Sequence, residues 1–347
     1  MSRCVAFLFI GMTGLSTVWS ACSPQTVRQD TSVTVERRLA MMGTDLTVTV
    51  EAVSRSAALM ASERAIRALE ETESRLSTWR EDTELARFNR TEPGQPVWLS
   101  PRLYADLAAA RRWWKETDGA FDPGIGALIE AWGLRQGFRV PAPETLQKAL
   151  SGGGLGNLVL EDRKAVRLRE TMKIEEGGFG KGIGLDEALR VMAGSGVTNG
   201  KIDLGGQVIV MGGKPTPISV AHPDRRDEPV IEIVIDQGSV ATSGNSERGI
   251  VIDGVRYGHI LDPKTGSPTH DFGSLTVWAP DATTADCLST GLYVLGPDGA
   301  LAWAAGRTNI EVLVLERTAT GLRARATPGW KPRMARVAKN VVIAFGS

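Results

Sequence analysis

Apolar and polar positions change period several times along the 347-residue chain. "TVERRLAMMGTDLTVTVEA" alternates with a period of two on either side of Gly43-Thr44, which predicts two strands joined by a turn. "SRSAALMASERAIRALEETESRLS" then spaces its apolar residues as one face of an amphipathic helix. "TWREDTELARFNRTEPGQPVWLS" is polar and broken by Pro and Gly, so it reads as a loop with about one helical turn. Ser100-Pro101 combines an N-cap residue with a first-turn proline and opens a helix that runs toward Gly119. "AFDPGIGALIEAWGL" predicts a tight turn into a short helix, and the segment to about Arg169 a helix and a strand pair around "SGGGLGN". "IEEGGFGKGIGLDEALRVMAGSGV" predicts a loop entering a helix, and "KIDLGGQVIVMGG" a strand pair. Further strand-like runs lie at 217–221, 230–235, 239–242, 249–253 and 256–261. "DATTADCLSTGLYVLGPDGALAWAA" is helical on both sides of Gly296-Pro297, and two β-rich runs finish the chain. Strands and helices mix without a βαβ rhythm or a repeat, so the predicted class is α+β with a largely antiparallel sheet and packed helices.

Length suits one large domain or two intimately packed subdomains. Forty basic residues balance forty acidic ones, which leaves no electrostatic footprint for nucleic acid. The first residues change the picture more. Arg3, an apolar run and small residues before Cys22 have the order of a secretory signal, too short to favour a membrane span. "SAC" resembles a lipoprotein processing box, although Trp19 stands where such boxes usually hold Leu. The expected organisation is a signal peptide over 1–21, a polar tether over 22–32 and one domain over 33–347. A lipid on Cys22 would anchor an exported protein at the membrane surface, on the periplasmic side of the inner membrane. Ordinary cleavage near Ala21 is the alternative. Of the three cysteines only Cys287 then remains in the mature fold, so no internal disulfide forms, and its apolar neighbours point to a buried structural thiol.

Three segments carry candidate chemistry. In "ADCLSTG", Asp286 and Thr290 are four residues apart and share a helix face, offering hard oxygen ligands of the kind that suit Mg²⁺ held partly by substrate phosphates. A cap and a packed threonine would leave the same pattern. In "GGFGKG", glycines admit an anion to the backbone and Lys181 adds a point charge at a helix start; Gly182 excludes a Walker loop. A glycine-rich turn with a surface lysine fits equally. In "RYGHILDPKTGSP", His259 ends a strand-like run, where an imidazole serves as acid or base, holds a phosphate, or simply bonds to backbone.

Taken in order, these segments resemble the ApbE family of FAD:protein FMN transferases. The pattern runs from "MGT" (Met42 to Thr44) through "LSTW" and "DTELARFN" within Leu76 to Asn89, and "DGAFDPGIGALIEAWG" from Asp118 to Gly133. It continues with Lys181, Gly182 and Asp186, Gly205-Gly206, "ATSG", "HILDPKTGSP" and "ADCLSTGLYVLG", spanning roughly residues 40 to 315. The resemblance implies a T-fold-like architecture with the FAD site between two packed subdomains. It implies Mg²⁺-dependent cleavage of FAD, attachment of FMN through a phosphoester to a Thr of a redox protein, and release of AMP. It implies metal ligands at Asp286, Thr290 and the Gly178 carbonyl. Flavin and nucleotide contacts map to Met42, Trp79, Ala120, Phe121, Asp122, Glu175, Lys181 and the Leu261 backbone, and His259 matches the histidine considered for catalysis. This chain departs from the family's pattern at Glu175, where Asp is usual, and at Glu176, Ile183, Gln207 and Ser246. FAD hydrolysis by water and non-catalytic FAD storage are the alternative activities.

Overall fold

Strict alternation builds the first hairpin. β1 (Val33–Met41) and β2 (Thr44–Ala52) pair antiparallel around Met42-Gly43, with Leu46, Val48, Val50 and Ala52 of β2 buried. The turn sits one residue earlier than its sequence suggests, because both Met42 and Gly43 take positive φ. α1 (Arg55–Leu76) starts where the Ser54 hydroxyl accepts from Ala57 N at 3.2 Å and lays an alanine-rich stripe on β1 and β2. α2 (Glu84–Asn89) and β3 (Val97–Trp98) break the polar loop that follows. α3 (Pro101–Glu116) begins as its sequence predicts, the Ser100 hydroxyl accepting from Leu103 N at 3.1 Å. α4 (Gly126–Ala131), α5 (Pro143–Gly152), β4 (Leu158–Glu161) and β5 (Lys164–Arg167) complete the first part; β3, β5 and β4 form a small sheet of their own.

The second part supplies the main sheet. α6 (Gly180–Met192) leads into β6 (Val197–Leu204) and β7 (Gln207–Met211). β8 (Thr216–His222), β9 (Arg225–Ile235) and β10 (Gly238–Gly244) follow, then the short ribbon β11 (Ile250–Ile252) and β12 (Val255–Tyr257). β13 (Gly273–Ala279), α7 (Ala282–Ala304), β14 (Glu311–Thr318), β15 (Gly321–Ala326), β16 (Met334–Val337) and β17 (Val341–Phe345) end the fold. Nine strands pair in the order β1-β2-β6-β7-β10-β13-β14-β15-β17, and all these pairs are antiparallel except β15 with β17. Alternation along β14 shows how the layers stack: Val312 and Val314 face the helical layer with α7, while Leu313 and Leu315 face β8 and β9. The main sheet therefore lies between a helical layer and a three-stranded sheet of β16, β9 and β8.

The computed structural model describes residues 32–346 apart from 195, 246–249 and 253–254. The expected signal segment, Cys22, the tether up to residue 31 and Ser246 lie outside the described residues. Residues from Ser32 on form one compact unit, in which no described helix is long and apolar enough to cross a membrane. The expected strand over 256–261 ends at Tyr257, and its ribbon stays off the main sheet. The following segment bonds to itself instead: Thr269 N donates to Ile260 O at 2.9 Å and Asp262 N to Ser267 O at 2.8 Å. His259 thus occupies a bend rather than a strand end. α7 breaks as expected at Gly296, whose φ of 72° admits Pro297 to open a second helical stretch.

Candidate active site

Two helix starts meet at one corner. Gly182 N, in the first turn of α6, donates to Asp286 Oδ2 of α7 at 2.9 Å, and Lys181 Nζ lies 3.5 Å from Oδ1. Asp186 pins the same corner from the next turn, accepting from Ala282 N at 2.7 Å, Thr283 N at 2.9 Å and Thr283 Oγ1 at 2.6 Å. Burial raises the Asp186 carboxyl above its ordinary pKa although these donors oppose it. Asp286 is only 3% exposed. A carboxylate so placed needs compensation, and the α6 N-terminus and Lys181 provide it. Cys287, its neighbour, is wholly buried and its thiol is pushed well up by burial, as suits a packing role.

The turn before α6 closes on the same face. A Cβ placed on Gly178 would lie 3.1 Å from the Phe121 ring and 3.4 Å from Thr290 Oγ1. The Gly178 backbone, the Thr290 hydroxyl and the Asp286 carboxylate therefore gather beside Lys181. Among the described residues no three His, Cys, Asp or Glu side chains cluster to hold a metal, so a cation here would rest on one carboxylate, one hydroxyl and one carbonyl. That hard-oxygen set fits Mg²⁺ completed by phosphate oxygens and does not fit a thiophilic metal. Met42 stands on the other side of the turn, its Cε 3.8 Å from a Cβ placed on Gly180. Ala120 and Phe121 are both buried, so only their backbone and the Phe121 ring edge at Gly178 reach this face.

Glu175 anchors a second group. Its carboxylate pairs with Arg135 and lies 3.4 Å from Thr78 Oγ1, while Glu176 Oε1 accepts from Thr78 N at 3.0 Å. Burial pushes Glu175 up to about 7, with Arg135 opposing and Glu176 adding to the rise. Trp79 next to Thr78 is 62% exposed, and the Arg135 guanidinium sits 4.8 Å from its ring centroid.

A cleft of about 290 Å³ is lined by Asp118, Asp122, Gly154, Pro263 and Lys264 among others. Asp122 Oδ1 accepts from Gly124 N at 2.7 Å and Leu155 N at 2.9 Å, which folds the glycine loop over it. On the opposite wall Asp262 Oδ1 accepts from Lys264 N at 2.8 Å, and Trp132 Nε1 donates to Gly266 O at 2.7 Å. Leu261 is buried among α4 and α5 residues, leaving its backbone as the part available to a ligand. His259 is half-buried two residues before it. Gly258 has no room for a side chain because the Asn245 amide fills that space, and Asn245 Nδ2 donates to Tyr293 Oη of α7 at 3.3 Å. The histidine segment is thereby tied to α7, one helical turn beyond Thr290.

Asp122 carries a test of its own. Burial raises its carboxyl to about 6, against the lowering donors Gly124, Leu155 and Trp114. The folded state then holds a proton that the unfolded chain releases near 3.8, so stability from this group is present below that value and lost as pH rises through about 6. Asp122→Asn keeps an acceptor for both backbone donors and removes the titration. Its unfolding free energy should fall less than the wild type's between pH 4 and pH 7, by roughly 1–2 kcal/mol after allowing for solvent, as read by denaturant titration at each pH. Superimposable pH curves would refute this account of Asp122.

The profile of the ApbE family matches residues 42–314 of the sequence. The chain belongs to the ApbE family. It is 31% identical over 278 residues to the FAD:protein FMN transferase of Haemophilus influenzae, covering 76% of this chain and 80% of that one. It is 32% identical over 276 residues to the FAD:protein FMN transferase of Vibrio cholerae, covering 77% and 82%. Among solved structures, the ApbE protein of Thermotoga maritima matches with a TM-score of 0.76 and 31% identity over 82% of this chain and 94% of its own. The flavin transferase ApbE of Vibrio cholerae matches with a TM-score of 0.75 and 28% identity over 87% and 99%. The mixed fold with its largely antiparallel sheet is the ApbE fold.

Within this ApbE-family fold, the structure brings Gly178, Lys181, Asp286 and Thr290 into one corner, with Met42 and Phe121 at its edges. Asp122 and the turn after Leu261, at Pro263 and Lys264, line a cleft of their own. Arg135 and Thr78, which bind Glu175, and Asn245, which lies beneath the histidine segment, were not singled out by the sequence. An arginine two residues past "WG" and a threonine before Trp79 carry no spacing signal. The one available hint was Glu175 itself, a carboxylate placed just before the glycine turn.

Proposed function

We propose that this chain is a Mg²⁺-dependent FAD:protein FMN transferase. The observation that carries the reading is the buried Asp286 carboxylate, held by Gly182 N and Lys181 on the same helix face as Thr290. Asp286, Thr290 and the Gly178 carbonyl would hold the cation, which when bound supplies Lewis-acid neutralisation of the pyrophosphate. Lys181 stands where it offsets charge growing on the departing AMP. A threonine hydroxyl of the acceptor attacks the phosphorus on the FMN side of the pyrophosphate. The new P–O bond forms as the bond to the AMP oxygen breaks, and the threonine proton passes to His259 or a nearby carboxylate. In-line positioning matters more here than a strong nucleophile, and the hydrogen-bonded α6–α7 corner supports that positioning. FAD contacts fall to Met42, Trp79, Glu175, the 120–122 backbone and Asp122, and the Leu261 backbone. The same reading makes the protein an exported lipoprotein, attached through Cys22 at the periplasmic face of the inner membrane and acting on membrane-associated redox subunits.

Intact mass spectrometry tests it. Incubation of purified protein with FAD, Mg²⁺ and a threonine-bearing acceptor should add one FMN to the acceptor and release one AMP, and the same spectra report whether Cys22 carries lipid. AMP without an FMN adduct on any acceptor would replace transfer by hydrolysis. Neither product, with FAD still bound, would replace it by storage.

A further inference from the structure

We propose that Arg135 is a positioning residue that holds Trp79 and Glu175 together as one preformed wall for a flat aromatic ring of FAD; the inference rests on the transferase reading for its ligand. Arg135 reaches two segments distant in the chain at once. Its Nη1 donates to Thr78 O at 2.7 Å, its Nη2 bonds Thr78 Oγ1 and the Glu175 carboxylate, and its Cζ lies over the Trp79 ring, 4.8 Å from the centroid. The residue itself is presented by a closed turn, in which Gln136 N and Phe138 N both donate to Gly133 O at 2.9 Å. A planar guanidinium fork can bind a carbonyl, a hydroxyl and a carboxylate while stacking on an indole; an ammonium cannot. Glu175 supplies the carboxylate end of this bridge.

Two consequences follow for a ligand. Trp79 is left largely open to solvent with the Arg135 guanidinium over its ring, so an aromatic heterocycle stacking on it meets a ring already backed by a contact. Arg135 also offsets the charge of Glu175, which beside Glu176 would otherwise repel an approaching pyrophosphate. The ring is either the isoalloxazine or the adenine of FAD, since both are flat and aromatic.

The test is to titrate FAD, FMN and ADP separately into wild type, Arg135→Ala and Arg135→Lys, with chelator present and melting temperatures measured alongside. Arg135→Ala should weaken FAD binding roughly tenfold, as expected for one charge-assisted hydrogen-bond network. In turnover the loss should fall mainly on KM rather than kcat. A loss shared by FMN but not ADP assigns the ring to the flavin; the converse assigns it to adenine; both uphold the wall. Arg135→Lys keeps the charge and stem, so it should fold like wild type and still bind FAD at least about threefold more weakly. Unchanged FAD affinity in a folded variant, or a loss confined to kcat, overturns the proposal. Failure of the transferase reading looks different: wild type would bind FAD yet give no FMN adduct, and the binding titrations would stand unaffected.

Discussion

Asp286→Asn should leave a folded protein that binds FAD but transfers FMN at least about a hundredfold more slowly. The substitution is nearly isosteric and keeps an oxygen to accept from Gly182 N, so the α6–α7 corner retains its 2.9 Å bond. Only the negative charge goes. Electrostatics within the free protein argue that this loss is mild for stability, because a carboxylate 3% exposed and served by one lysine at 3.5 Å gains little over a neutral amide. A charge kept at such a position serves something other than folding. Lys181, relieved of its partner, would no longer share the site with an anion, and the hard-oxygen set would lose its single carboxylate. The measurement is single-turnover AMP release and FMN adduct formation at saturating FAD and Mg²⁺, with the melting temperature as control. Turnover within tenfold of wild type would remove Asp286 from the chemistry.

Where sequence reading succeeded and failed has a physical pattern. The amphipathic α1, the Ser100-Pro101 start of α3 and the break of α7 at Gly296 were legible because each is decided locally, by a period, a cap or a backbone conformation. Asp286 and Thr290 were placed on one face by helix geometry alone. His259 was less legible, since whether "RYGHI" continues a ladder depends on a partner strand, and here the 260–269 segment bonds to itself. Arg135 was invisible for a related reason. Its partners Thr78 and Glu175 are 57 and 40 residues away, and no local rule brings those three together. The glycines show the same division. "GGFGKG" announces close approach to something, but only packing identifies that something as the first residues of α7.

That close approach gives the second large expectation. Gly182→Ala should both destabilise the fold and disable the site, although alanine favours a helix interior by about 1 kcal/mol over glycine. A Cβ on residue 182 would sit 2.5 Å from Ala282 O and 2.7 Å from Thr283 Cα, both backbone atoms that have no rotamer to escape into. Ala282 O is also held by Gln207 Nε2 at 2.8 Å, and the Ala282 and Thr283 amides by Asp186, so α7 cannot yield without breaking other bonds. Overpacking of this kind costs roughly 1–3 kcal/mol, and the lost bonds at the corner add about 1 kcal/mol each, so the steric term outweighs the helical gain. A fall in melting temperature of several degrees is expected, on the order of 2–4 °C per kcal/mol for a domain of this size. Activity should fall further than stability at any temperature where the variant is folded, because the same displacement moves Asp286 away from Gly178 and Lys181. Gly184→Ala is the natural control: it lies in the same helix, but the atoms nearest its Cβ would be side-chain ends rather than backbone, Leu69 Cδ2 at 2.9 Å, Thr72 Cγ2 at 3.6 Å and Met42 Sδ at 3.7 Å. Equal melting temperatures and rates for the two variants would show that the α6–α7 approach is not what holds the site together.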